Sequence, residues 1–398
     1  MGVLRIVSAC LGAALVVATS VSVLTALVIP RGRLGRMQRR TDRAVALLFG
    51  LLARPLPDYP ARDRLLAAQG PAFLAVVLVT WLAGDLMGFA LLLWPFTHSL
   101  SGAFREAGSS LLTLGFASTP SVGPTLLDFL CAAAGLVTVA LQIGYLPTLY
   151  SAFSRRETEV TLLASRAGSP PWGPELLART RVGLQAESEM TDFYRGWERW
   201  AADVAESHSN YPALIRFRSP QAYASWIVGM LAVLDSAALY LAIAPTRAPV
   251  AARLVLRMGF TALRQIADAI GMPYDSDPRP DGLLQLTEND FADALRRLDD
   301  VGFPRERDDT ESWAHFRGWR VNYESIAYAL CREVDAVPAL WSGGRRSGEL
   351  PLPPVRPPVR TPQDPDGLTG RGGPARTRKG PPPWSGGGPD ARGISTRG

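Results

Sequence analysis

Up to residue 150, long apolar runs alternate with arginine-rich stretches, and that alternation predicts helices that cross a bilayer. Residues 6–29, 73–94 and 126–150 are each apolar over the roughly 20 positions a helix needs to traverse hydrocarbon. The first run is longer than the ~7–15 residue core of a secretory signal peptide, and arginines follow it instead of a small-residue cleavage site, so it predicts an uncleaved anchor. A fourth run, 222–244, has Arg216 and Arg218 before it and Arg247, Arg253 and Arg257 after it, and contains Asp235. Cations at both ends and an acid within predict a buried core helix and not a fourth span.

From 154 to about 342 the apolar positions recur with helical period. Residues 175–206 form one amphipathic pattern, and further helices are predicted at 220–243, 249–271, 288–301 and 310–335. Thr287 with Asp290 has the spacing of a capping box, and Gly302 suits the position just past a helix end. No stretch alternates with strand period, and no glycine-rich strand-to-helix turn suggests a nucleotide-binding domain. After Trp341 the chain turns to proline, glycine and arginine, a composition that cannot bury a core, so residues 346–398 are expected to be a disordered tail. The fold class is therefore an all-α membrane protein carrying a helical bundle.

Composition agrees. Hydrophobic residues make up 47% of 398 and mean hydropathy is +0.08, too apolar for a soluble chain with so polar a tail. The net charge of +6 is arginine's, since Lys379 is the only lysine. Arg31, Arg33, Arg36, Arg39, Arg40 and Arg43 follow the first span, and Arg155 and Arg156 follow the third. By the positive-inside rule both ends are cytoplasmic and the N-terminus is outside. No nucleic-acid module accompanies the charge. Cys10 and Cys131 lie in apolar runs and Cys331 in a helical region, which implies no disulfide framework. His98, His208 and His315 are scattered and imply no metal site. The stretch 275–282 starts like a calcium loop but puts Arg279 and Pro280 where a ligand and a turn glycine belong. Trp197, Trp200, Trp226, Trp313, Trp319 and Tyr323 are expected to pack a core. No nucleophile, base and orienting group stand together, so no enzyme and no cofactor are expected.

Between the second and third spans, residues 95–125 carry only Arg105 as a cation. Residues 102–112 suit a short helix with Ser101 as its N-cap, followed by Thr113, Leu114, Gly115 and Phe116. Irregular backbone at membrane depth is tolerated where it lines a water-filled cavity. Carbonyls presented by such a loop replace the hydration shell of a cation. Asp85, in the middle of the second span, is expected to face protein, bonded to Ser109 or Ser110 or neutralised by burial. Asp128 opens the third span. Gly135, Gly144 and Pro147 are candidate flexible points in that span, with Pro147 expected to kink it.

Residues 72–154 resemble the two-transmembrane potassium-channel pore module, whose filter is Thr-Val-Gly-Tyr-Gly or a close variant with Phe for Tyr. The resemblance implies a homotetramer conducting a monovalent cation, with Thr113, Leu114, Gly115 and Phe116 as the ion path and K⁺ as the permeant ion. The second filter glycine is Ala117 here and the usual following acid is Ser118. An alanine at a position of positive φ would be strained. The predicted organisation is a transmembrane anchor (1–30), a basic cytoplasmic linker (31–71), the pore module (72–154), a cytoplasmic helical domain (155–345) and the tail (346–398). The protein is placed in the inner or plasma membrane, in contact with lipid and with copies of itself. The rival expectation is a non-conducting scaffold or sensor with a degenerate loop.

Overall fold

Four helical stretches are long and apolar enough to cross a membrane: Val3–Leu27, Tyr59–Leu93, Val122–Ala167 and Trp226–Ile243. They occur in a computed structural model that describes residues 2–29, 35–180, 186–345 and 348–355. The chain is about 72% helical, and the described residues form no strand, which agrees with an all-α membrane protein. The most apolar window of Trp226–Ile243 is 100% buried, against 22–39% for the other three, so this run is enclosed by protein, as its flanking arginines predicted.

The first helix, α1 (Gly2–Leu27), is not a detached anchor. It runs antiparallel to α4 (Gln69–Leu93), with Ser8 Oγ donating to the Leu91 carbonyl at 3.4 Å and Trp81 Nε1 to Ser22 Oγ at 3.1 Å. Small residues let the backbones meet. A Cβ on Gly12 would stand 2.6 Å from the Gly88 carbonyl oxygen, and Gly84 and Gly88 have the Gly-x-x-x-Gly spacing.

Between them, where a linker was expected, stand two helices, α2 (Arg36–Ala53) and α3 (Tyr59–Ala67). Val45 of α2 packs in one cluster with Val23 of α1 and with Phe73, Leu74 and Val77 of α4. The short helix α5 (Leu100–Leu111) lies against α4 and α6 (Val122–Ala167), sharing a cluster that includes Phe89, Leu93, Ala103, Ala107, Leu111 and Cys131. Its N-cap is Ser99, whose Oγ accepts from the Gly102 amide, and not Ser101.

Helix α6 (Val122–Ala167) runs unbroken for 46 residues, past Pro147. At 1.5 Å per residue it is about 69 Å long, more than twice the ~30 Å of a bilayer's hydrocarbon. Leu149 and Ala152 still pack with Val23, Val45 and Phe73, and only its last turns, with Val160, Leu163 and Ala167, enter the core of the helical domain. The expected domain boundary at residue 154 falls inside this helix.

The domain continues with α7 (Gly173–Thr180), α8 (Ala186–Asn210), a 3-10 turn at Pro212–Arg216, α9 (Trp226–Ile243), α10 (Val250–Ile270), α11 (Glu288–Asp299), α12 (Asp309–Arg320) and α13 (Glu324–Glu333). The single helix expected at 175–206 is two, α7 and α8, with 181–185 outside the described residues. The one expected at 310–335 breaks at 321–323, where buried Tyr323 takes a non-helical φ/ψ ahead of α13. The Thr287–Asp290 capping box is present, and Gly302 has φ 61 as the left-handed cap of α11. Trp197, Trp200, Trp226 and Tyr323 are buried core residues, with Trp313 and Trp319 packed against them. Residues 348–355, expected within the tail, lie back on the domain: Val355 pairs with Ser169 and Leu352 with Ala339. The expected disorder of 356–398 lies outside the described residues.

Candidate functional site

The loop after α5 is shaped by the way that helix ends. The Leu114 amide donates to the Ser109 carbonyl at 2.7 Å and the Thr113 amide to that of Ser110 at 3.0 Å, the pairing of a Schellman cap. Thr113 therefore occupies the left-handed cap position, with φ 54, where glycine is the usual residue. The Gly115 amide follows, 3.4 Å from the same Ser109 oxygen, with φ 70. Ala117, expected to need positive φ, is not among the positive-φ residues.

Side chains staple the loop from behind. Ser109 Oγ accepts from the Ala117 amide at 3.0 Å. Glu106, 4% exposed, accepts from the Thr119 amide and hydroxyl, both at 2.7 Å. Ser110 donates to Asp128 at 2.7 Å, and the Arg105 guanidinium lies 5.5 Å from the Phe116 ring. Amides 113, 114, 115 and 117 thus point back to α5. Among the described residues, nothing donates to the carbonyls of Thr113, Leu114, Gly115 or Phe116. The side chains of Leu114 and Phe116 are exposed in the single chain.

Asp85 is buried as expected, but neither serine reaches it: Ser109 faces Ala117, Ser110 faces Asp128, and Asp85 Oδ1 has no hydrogen-bond partner among the described residues. The three flexible-point candidates part company. A Cβ on Gly135 would stand 2.3 Å from the Leu111 carbonyl oxygen, so this glycine lets α6 pass under the end of α5. Gly144 has nothing within 4 Å of such a Cβ. Pro147 is exposed and interrupts the hydrogen-bond ladder inside α6. Glu106 carried no motif; its place on the short helix, one turn after Gly102, was the only signal.

A second set of polar contacts ties the membrane-type helices to the helical domain. Arg216 binds both carboxylate oxygens of Asp42 on α2, at 2.6 and 2.8 Å, and Glu333 at the end of α13 at 2.7 Å. Arg218 donates to Tyr59 of α3 at 2.6 Å and to the Asp335 carbonyl at 2.9 Å. Arg62 of α3 binds Glu349 at 2.7 Å. Cations here meet the carbonyl end of a helix, where its dipole favours positive charge. Within the domain, fully buried Arg320 bonds Asp235, Glu324, the Tyr328 hydroxyl and the Trp341 carbonyl.

Arg156, read from the sequence as a topology marker, is also fully buried. It donates to the Leu214 and Phe217 carbonyls at 2.9 and 2.7 Å and lies 3.0 Å from His208 Nε2. Since arginine can only donate, Nε2 accepts, and Nδ1 carries the proton toward Ser207 Oγ at 3.1 Å. Burial, then the charge of Arg156, holds the His208 pKa well below the ordinary imidazole value.

No protein-family model, curated protein or solved structure matches this chain. What it does must be argued from its own atoms.

Proposed function

We propose that the chain is a cation channel of the potassium-channel type, assembled as a homotetramer in the cell membrane, in which the 113–116 loops of four copies line the ion path. The observation that carries this reading is the division of labour in the loop backbone. Its amides are turned onto α5 and the Thr113–Phe116 carbonyls are left without donors, as oxygens that replace a cation's water must be. The arginine clusters support, by the positive-inside rule, a reading with the N-terminus outside and the helical domain in the cytoplasm. The contacts of Arg216, Arg218 and Arg62 would then connect that domain to α2 and α3, which lead into the pore-bearing helices.

Two observations favour the rival, a non-conducting scaffold: Thr113 caps a helix as in an ordinary turn, and Ala117 stands where the second filter glycine would be. Purified protein in liposomes separates the two readings. Conduction predicts K⁺-driven flux from a tetramer, lost in Gly115→Val, because a branched side chain at φ 70 is strained, while the tetramer persists. A tetramer that passes no cation at any voltage or pH refutes conduction and leaves the scaffold.

A further inference from the structure

Helix α2 has two unlike faces. One, with Gln38, Thr41, Val45 and Ala53, is buried against α4 and the 3-10 turn region. The other is exposed and graded along the axis. Arg40 and Arg43 stand near its start, and Leu47, Leu48, Leu51 and Leu52 near its end are 69, 55, 54 and 51% exposed. A surface helix in water puts polar residues on its outer face. This one puts leucines there, about 16 Å along the axis from Arg40 to Leu51 at 1.5 Å per residue.

We infer that the exposed face of α2 binds the cytoplasmic leaflet of an anionic bilayer, its leucines among the acyl chains and Arg40 and Arg43 at the lipid phosphates. Position supports this occupant: the buried face of α2 packs on Val23 of α1 and on Phe73, Leu74 and Val77 of α4, so the leucines lie level with the ends of two spans. Charge does as well, since anionic headgroups attract membrane-proximal arginines and an apolar face buries ~5–10 Å into the boundary. Asp42, one position before Arg43, turns the other way and holds Arg216. The helix therefore touches lipid on one side and the helical domain on the other. The inference rests on the membrane-spanning reading proposed above.

The test is spin-label accessibility on the full chain in nanodiscs, in a Cys10→Ala background, since Cys131 and Cys331 are buried. Labels are introduced through Leu48→Cys, through Val79→Cys on the exposed face of α4, and through Leu283→Cys, a fully exposed loop position. Dissolved oxygen should reach the first two labels in preference to a water-soluble nickel chelate, and the third should show the reverse. Adding phosphatidylglycerol to phosphatidylcholine should raise the oxygen preference at position 48, and Arg40→Gln with Arg43→Gln should abolish that rise. A nickel-accessible label at 48 with an oxygen-accessible one at 79 overturns the inference alone. A nickel-accessible label at 79 overturns the lipid-facing span of α4 on which it rests. Broadening at 48 from a neighbouring label would mean that a second copy covers the leucines, and a rise unaffected by the arginine changes would remove the anionic-lipid assignment.

Discussion

Gly135→Ala and Gly144→Ala make the same chemical change in one helix, and the structure gives them opposite signs. At 135 the new Cβ would lie 2.3 Å from the Leu111 carbonyl oxygen, where ordinary contact begins near 3.4 Å. Helix α5 or α6 must withdraw by about 1 Å in an interior packed like a crystal. The backbone of Leu111 cannot swing aside as a side chain would, because the next residues are fixed by the Ser109 and Ser110 cap bonds. Overpacking of this kind costs about 1–3 kcal/mol, against a gain of about 1 kcal/mol from replacing a mid-helix glycine with alanine. At 144 nothing lies within 4 Å, so only the gain remains. Thermal unfolding followed by tryptophan fluorescence in one detergent should place Gly135→Ala below wild type and Gly144→Ala at or above it. The two variants should differ by several degrees, at about 2–4 °C per kcal/mol for a large domain. If Gly135→Ala is as stable as Gly144→Ala, α6 does not pass beneath α5 as described, and Gly135 is a free hinge.

Other outcomes follow from the same contacts. Glu106→Ala removes the acceptor of both Thr119 bonds, and amide exchange at Ala117 and Thr119 should quicken while α5 itself stays protected; unchanged exchange would refute the staple. His208 is held neutral, so below about pH 6.5 the unfolded chain binds a proton that the folded chain refuses. Stability should fall as pH drops from there, by up to ~1.4 kcal/mol per unit, and His208→Gln should flatten that slope in a pH series of melting curves. Arg320→Ala strands Asp235 and Glu324 in the core and should destabilise the helical domain by about 3–5 kcal/mol, read as loss of its cooperative melt; a change under about 1 kcal/mol would mean that the cluster is not closed.

Much of this arrangement was legible in the sequence where one signal acted alone. Apolar length located the three membrane-type helices, and flanking arginines with Asp235 separated α9 from them. Capping chemistry fixed the start of α11, because Thr287 and Asp290 satisfy each other locally. Reading failed where two signals competed. Helix α2 reads as a linker because its arginines dominate the stretch and mask the leucines behind them. The break between α12 and α13 has neither proline nor glycine; it follows from tertiary demand on Tyr323, whose hydroxyl bonds Asp235 at 2.9 Å. The cap of α5 was placed two residues late because Ser99 and Ser101 are both good caps and only geometry chooses. At the loop, the sequence offers Thr113 to Phe116 as candidates but not the bonds that hold them, since Glu106 and Asp128 are distant in sequence from Thr119 and Ser110.

The continuity of α6 has a mechanical meaning. A helix carrying its full ladder is a stiff rod, so any displacement of the helical domain reaches the segment beneath α5 through one shaft, without a loop to absorb it. Pro147 is where that shaft is compliant, because the ring leaves one rung missing and crowds the turn before it. The arm between Pro147 and the helix end at Ala167 is about 30 Å long, so a bend of about 10° there carries the tip through about 5 Å. Run in reverse and pivoting about Pro147, a shift at the tip becomes a smaller shift under Leu111, because Gly135 lies only about 18 Å on the other side of the pivot, which makes α6 a reducing lever between domain and loop.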